Sequence, residues 1–130
     1  MRSDGRTDIG KKRVQNQDSI FFTDEPIGPL PNLYIVADGM GGHKAGDVAS
    51  KTAIECVTEY IKESAINNSV SVLKRAILYA NDKIYKMAKE NEDWKGMGTT
   101  LVAAVCEDDI LYVANIGDSR LYFIDDEIRQ

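Results

Sequence analysis

The sequence predicts an α+β fold in which antiparallel β-sheets pack against an antiparallel pair of helices. Three observations predict it. Short β-branched and aromatic runs bounded by turn residues occupy both ends of the chain, at Ser19 to Thr23, Leu33 to Ala37, Leu101 to Cys106, Ile110 to Asn115 and Arg120 to Ile124. Between them lie two stretches whose apolar residues recur every three or four positions. The order β-β-α-α-β-β-β groups the strands, the pattern of helices layered on an antiparallel sheet.

Each element follows from its residues. Residues 1–10 are polar, with a short edge strand expected over Thr7 to Gly10, and Lys11 to Asp18 reads as a charged, amide-rich loop. The stretch Asp24 to Asn32 holds Gly28 and all three prolines of the chain, Pro26, Pro29 and Pro31, so regular structure is excluded. It connects a hairpin whose second strand, Leu33 to Ala37, ends at Asp38. That hairpin brings the Arg13–Asp18 loop and Asp38 to the same end of two neighbouring strands.

From Asp47 to about Ser64 the apolar positions Ala49, Ala53, Cys56, Val57, Tyr60 and Ile61 make one face of an amphipathic helix. Asn67-Asn68-Ser69 breaks it, and Ser69 or Ser71 is expected to cap the next helix, which runs to about Asn91. Leu73, Ala76, Ile77, Ala80, Ile84, Met87 and Ala88 share its inner face. Both faces read as core. A loop over Glu92 to Gly98 then leads into a meander of three strands, with turns at Asp108-Asp109 and Gly117-Asp118. The segment Asp125 to Gln130 follows the last strand with no closing element expected.

A length of 130 residues suits one domain, spanning 1–130. Hydrophobic residues at 43% and charged residues at 28% are those of a soluble globular protein. The formal net charge of -5 opposes binding to a nucleic-acid backbone, and Lys11-Lys12-Arg13 is too short a basic cluster to reverse that. No apolar run approaches the ~20 residues needed to span a bilayer. Cys56 and Cys106 sit in apolar patterns without ligand spacing, which predicts buried thiols and a reducing, cytoplasmic setting.

The chemistry gathers where polar clusters interrupt these patterns: Arg13 to Asp18, Asp38-Gly39, Gly98 to Thr100, and Asn115 to Arg120. For Asn16, Asn115 and Ser119 a turn role is the better reading. After Asp38, Gly39, Gly41, Gly42 and Gly46 allow positive φ and close backbone approach to an ion or phosphate before a helix begins. A plain strand-to-helix turn would use the same residues, and on this stretch alone the two readings stay open. Asp18, Asp38 and Asp118 together favour a hard divalent cation, Mn²⁺ or Mg²⁺, since one His and two Cys are too few for zinc. Arg13 beside such a site would hold a phosphate bidentately. Metal, guanidinium and water are the equipment for phosphoester hydrolysis.

Four blocks also carry a resemblance: T-D-I-G-K-K-R-V-Q-N-Q-D-S at Thr7 to Ser19, V-A-D-G-M-G-G-H at Val36 to His43, M-G-T-T-L at Met97 to Leu101, and A-N-I-G-D-S-R at Ala114 to Arg120. In order and spacing they resemble the bacterial branch of the metal-dependent PPM-type (type 2C) protein serine/threonine phosphatases. The resemblance implies an α-β-β-α sandwich, of which this chain holds the amino-terminal half. It also implies hydrolysis of phosphoserine and phosphothreonine in proteins by a metal-bound hydroxide, with phosphorylated proteins as substrates and a cognate serine/threonine kinase as a partner. Asp38 would bridge two Mn²⁺ or Mg²⁺ ions and Gly39 would offer its carbonyl. Arg13 would hold the phosphate, Asp18 would support the metal-bound waters, and Asp118 would help hold a third metal.

Two positions depart from the family pattern. Animal members place a general-acid histidine directly after the D-G pair, where Met40 stands here; His43 lies three positions on and could substitute, or could be a polar loop residue. Gln17 stands where many members have Glu, removing one negative charge near the site. Family domains are also about twice as long, and their later half supplies further aspartates in D-G and D-N motifs. A catalytically silent, phosphatase-like module that binds partners is therefore the alternative. A nucleotide-binding loop at Gly39 to Gly42 has no G-K-S/T or G-x-G-x-x-G pattern to support it.

Overall fold

The computed structural model describes residues 2–6, 17–42 and 45–117, and the backbone alone at 123–124 and 128–129. Strands β1 (Asp18–Thr23), β2 (Leu33–Met40), β3 (Gly98–Glu107) and β4 (Ile110–Ile116) form one antiparallel sheet in sequence order. Helices α1 (Ala45–Glu63) and α2 (Ser69–Glu90) pack on each other and on one face of that sheet. The α+β expectation holds in this chain.

Strand alternation decides what faces the helices. In β2, Leu33, Ile35 and Ala37 are buried while Tyr34, Val36 and Asp38 are half-buried or exposed. Their cross-strand partners Ala103 and Leu101 continue the buried layer into β3. From above, α1 contributes Ala49, Ala53, Val57 and Ile61, and α2 contributes Val72, Leu73, Ala76 and Ala80. The first half of α1 offers only small buried residues (Ala45, Gly46, Ala49, Ser50 and Ala53), so its backbone settles close on the sheet. There the buried Ser50 hydroxyl meets the Ser19 hydroxyl at 2.9 Å. Further along, the larger Val57 and Ile61 of α1 and Val72, Leu73 and Ile77 of α2 complete the buried layer.

Several boundaries correct the sequence reading. Strand β2 does not end before Asp38. It continues to Met40, because β3 starts early enough to pair Thr100 with Asp38, Thr99 with Gly39 and Gly98 with Met40. Helix α1 is described from Ala45 and does not wait for Asp47. The cap of α2 is Asn68, whose side-chain oxygen accepts from the Ser71 amide at 2.9 Å; the hydroxyl of Ser69 instead donates to Glu107. Asp108 and Asp109, at φ 51° and 64°, form the β3–β4 turn as a type I′ pair.

Of the third strand expected over Arg120 to Ile124, only Phe123–Ile124 lies within the described residues. Phe123–Ile124 pairs with Ile128–Arg129 in a separate two-stranded ladder, which also supplies a partner where none was expected. The edge strand expected at Thr7 to Gly10 lies outside the described residues.

The proline-rich connection is part of the core. Ile27 and Leu30 exchange two backbone hydrogen bonds, 2.9 and 3.0 Å, around a tight turn, and both side chains are buried. Gly28 takes φ 52° there, and a Cβ on it would collide with the Ile61 carbonyl. The Asn32 side chain bonds both backbone groups of Cys106, each at 2.8 Å, and clips the connection to β3. Of the two free thiols, Cys56 is buried and burial pushes its thiol up, whereas Cys106 is only half-buried, a correction to the expectation of two buried thiols.

Candidate metal and phosphate site

The register of the sheet places Asp18 on β1 directly opposite Asp38 on β2. Asp38 in turn pairs with Thr100 on β3, so the three residues form one row across the end of the sheet, on the face away from the helices. Gly117 closes that row: at φ 95° a Cβ on it would approach the Thr100 methyl to 2.5 Å. Thr100 is buried, its hydroxyl 3.5 Å from the Asp38 carbonyl oxygen, while both aspartates are half-buried.

Two carboxylates directly opposed in an antiparallel ladder repel each other. A cation between them converts that repulsion into attraction, and hard divalent ions take carboxylate, carbonyl and water oxygens. The donor types therefore fit Mn²⁺ or Mg²⁺. Among the described residues no group of three or more His, Cys, Asp or Glu side chains converges on one point. The opposed pair alone is an incomplete cage.

The glycine stretch has a different purpose at each position. Gly39 is buried, its amide donating to the Gln17 carbonyl at 3.0 Å, and a Cβ there would strike the Gly46 carbonyl. Gly46 is buried beneath the Gln17 side-chain amide, and a Cβ on it would lie 2.5–2.8 Å from that group. Gly41 needs its freedom, at φ 142°, while a Cβ on Gly42 would meet nothing within 4 Å. Close packing, and not a ligand, explains Gly39 and Gly46. The Gly42 carbonyl accepts from the Ala45 amide at 2.9 Å as α1 begins, and Asp47 in the first turn pairs with Lys51 at 3.1 Å.

Of the six residues singled out from sequence, Asp18, Asp38 and Gly39 come together at this corner. Arg13, His43 and Asp118 lie outside the described residues. The sequence reading left Thr100 without a role, although its M-G-T-T-L block marked the position. It also treated Gln17 only as a missing charge. Two rows away on the same face, Tyr34 donates to the Asp24 carboxylate at 2.8 Å; burial, then that carboxylate, push the phenol up to about 12. The same hydrogen bond holds Asp24 below the usual carboxylate range.

Residues 5–130 match the family model described as protein phosphatase 2C. The serine/threonine phosphatase stp of Listeria innocua is 38% identical over 133 residues, covering 98% of this chain and 52% of that protein. The chain thus spans about half the length of this relative and of the other Listeria phosphatases it matches. Among solved structures, the catalytic domain of the serine/threonine phosphatase PstP in complex with two manganese ions superposes with a TM-score of 0.79 at 34% identity, over 96% of this chain and 52% of that one. Stp1 from Staphylococcus aureus gives a TM-score of 0.83 at 34% identity, over 96% of this chain and 50% of that chain.

Proposed function

Because this chain belongs to the protein phosphatase 2C family, we propose that it serves metal-dependent hydrolysis of phosphoserine and phosphothreonine in proteins. The observation that carries the reading is the pair of aspartates opposed across β1 and β2, beside a loop held tight by Gly39. In this reading Asp38 and the Gly39 carbonyl hold Mn²⁺ or Mg²⁺, with Asp118 contributing to a further ion. Bound metal supplies Lewis acidity, which makes water a nucleophile near neutral pH and offsets phosphoryl charge.

The chain's own groups do the rest. Arg13 binds two phosphate oxygens through its guanidinium and orients the ester. Asp18 would accept hydrogen bonds from the attacking water and orient it toward the ester. His43, protonated on its imidazole, donates that proton to the departing serine or threonine oxygen. Thr100, packed beside Asp38, keeps the carboxylate's backbone in place. The substrates are phosphorylated proteins, and a serine/threonine kinase that installs those phosphates is the natural partner in a cytoplasmic signalling pair. No helix among the described residues is long and apolar enough to cross a membrane.

Manganese-dependent release of phosphate from a phosphoserine or phosphothreonine peptide is the test. Release should fall to background in Asp38→Ala and in Arg13→Ala. Full activity in Asp38→Ala would remove the metal role assigned to that carboxylate.

A further inference from the structure

Gln17 occupies a position where the family resemblance leads one to look for a charge, yet its side chain is already committed. The Nε2–H donates to the Gly41 carbonyl at 2.9 Å. The backbone carbonyl of the same residue accepts from the Gly39 amide at 3.0 Å. The flat amide lies against Gly46 in the first turn of α1, where no Cβ fits without displacing it. One residue just before β1 therefore touches β2, Gly41 after it and the helix that follows.

We infer that Gln17 is a positioning residue: through this three-point contact it buckles Gly41 and the first turn of α1 to the start of β1 and sets the Asp38–Gly39 peptide opposite Asp18. The inference rests on the metal-site reading above and deepens it. Asp18 follows Gln17 directly, so both halves of the opposed carboxylate pair are tied to one residue. A neutral amide suits this place. It brings a donor to a carbonyl, which a carboxylate cannot do, and adds no third negative charge beside the two aspartates. The glycines at 39 and 46 are the steric counterpart: the buckle closes only if both positions lack a Cβ.

Two substitutions open the buckle from opposite sides. Gln17→Met keeps the length and volume of the side chain but removes the donor. Gly46→Ala leaves Gln17 in place and evicts its amide, while making α1 a better helix former. Backbone amide exchange and Mn²⁺-induced broadening of the Asp38 and Gly39 amide signals are then followed by NMR on the 130-residue chain.

Both variants should raise exchange at Gly39 to Gly46 about tenfold or more while leaving α2 and the middle of β3 protected. Both should weaken Mn²⁺ binding roughly 10–100-fold, the range for partners that orient metal ligands. Adding Gly46→Ala to Gln17→Ala should cause no further loss, since no amide remains to evict. Exchange unchanged in the loop, or raised uniformly across the chain, would overturn the assignment. So would a loosened loop with undiminished Mn²⁺ affinity. If the unsubstituted chain shows no Mn²⁺ broadening at millimolar metal, the metal-site reading falls. The exchange data then decide the buckle alone.

Discussion

The two faces of the four-stranded sheet are made by the same strands with the same alternation, yet they end as opposites. On the helix side, Leu33, Ile35, Ala37, Leu101, Ala103 and Val105 are sealed under α1 and α2. On the far side, Phe22, Val36, Leu111 and Val113 stand between 42% and 47% exposed, and the row of Asp18, Asp38 and Thr100 crosses one end. Both faces are apolar over most of their area, so composition does not separate them. The helices separate them: the face they cover is sealed along its length, whereas the far face buries Val102 and Ala104 at its centre but leaves its strand positions around them half-exposed and its end free to hold charge. An opposed pair of carboxylates could not be accommodated beneath α1, where burial without a counter-ion would cost several kcal/mol.

The largest expected effect breaks the symmetry between neighbours in one strand. Leu33→Ala, on the sealed face, should lower stability by about 2–5 kcal/mol through lost burial and a cavity. Val36→Ala, three residues on and facing outward, should stay within about 0.5 kcal/mol. Equal shifts in urea midpoint for the two would show that the far face is also packed.

A smaller effect has the opposite sign. Asp38→Asn removes one of two opposed charges and should stabilise the metal-free chain by roughly 0.2–1 kcal/mol, the size of a cross-strand pair term. Thermal melts with millimolar Mn²⁺ should then favour the unsubstituted chain, because the metal binds its folded form. Stabilisation by Asn that persists unchanged in Mn²⁺ would mean that the pair holds no cation.

The smallest effect lies at the far end of the same face, in the Tyr34–Asp24 hydrogen bond. The phenol's value rises from 10.0 unfolded to about 12 folded, so the stability it contributes is complete below about pH 10 and lost as pH climbs through about 12. Asp24 is held below its ordinary 3.8, so its contribution is present above that pH and lost as pH falls through the lowered value. Tyr34→Phe should flatten both limbs of the stability–pH profile and leave the Mn²⁺ response unaltered. A profile identical to that of the unsubstituted chain would show that the bond contributes nothing.

Much of the fold was legible because it is written locally. The three-and-four spacing of Ala49, Ala53, Cys56, Val57, Tyr60 and Ile61 needs only the helical period to be read, and the Asp108-Asp109 turn needs only its tolerance of positive φ. Helix α2 is found within a residue at its carboxyl end for the same reason. Asn68 outcompeted Ser69 as cap because Ser69 found Glu107 across the fold, a partner 38 residues away. The core role of Ile27 and Leu30 was hidden for a similar reason: a proline-rich segment reads as surface until the end of α1 is laid over it.

The candidate site divides in the same way. By itself the sequence determined the donor types, the hard-metal preference and the order of the four blocks, because residue chemistry and spacing travel with the chain. Only the tertiary structure decided that Asp18 stands opposite Asp38, that β2 carries Asp38 and Gly39 inside the sheet, and that the Gln17 amide reaches the Gly41 carbonyl. Register is a property of two strands at once, and a one-residue slip would turn every one of these side chains to the other face.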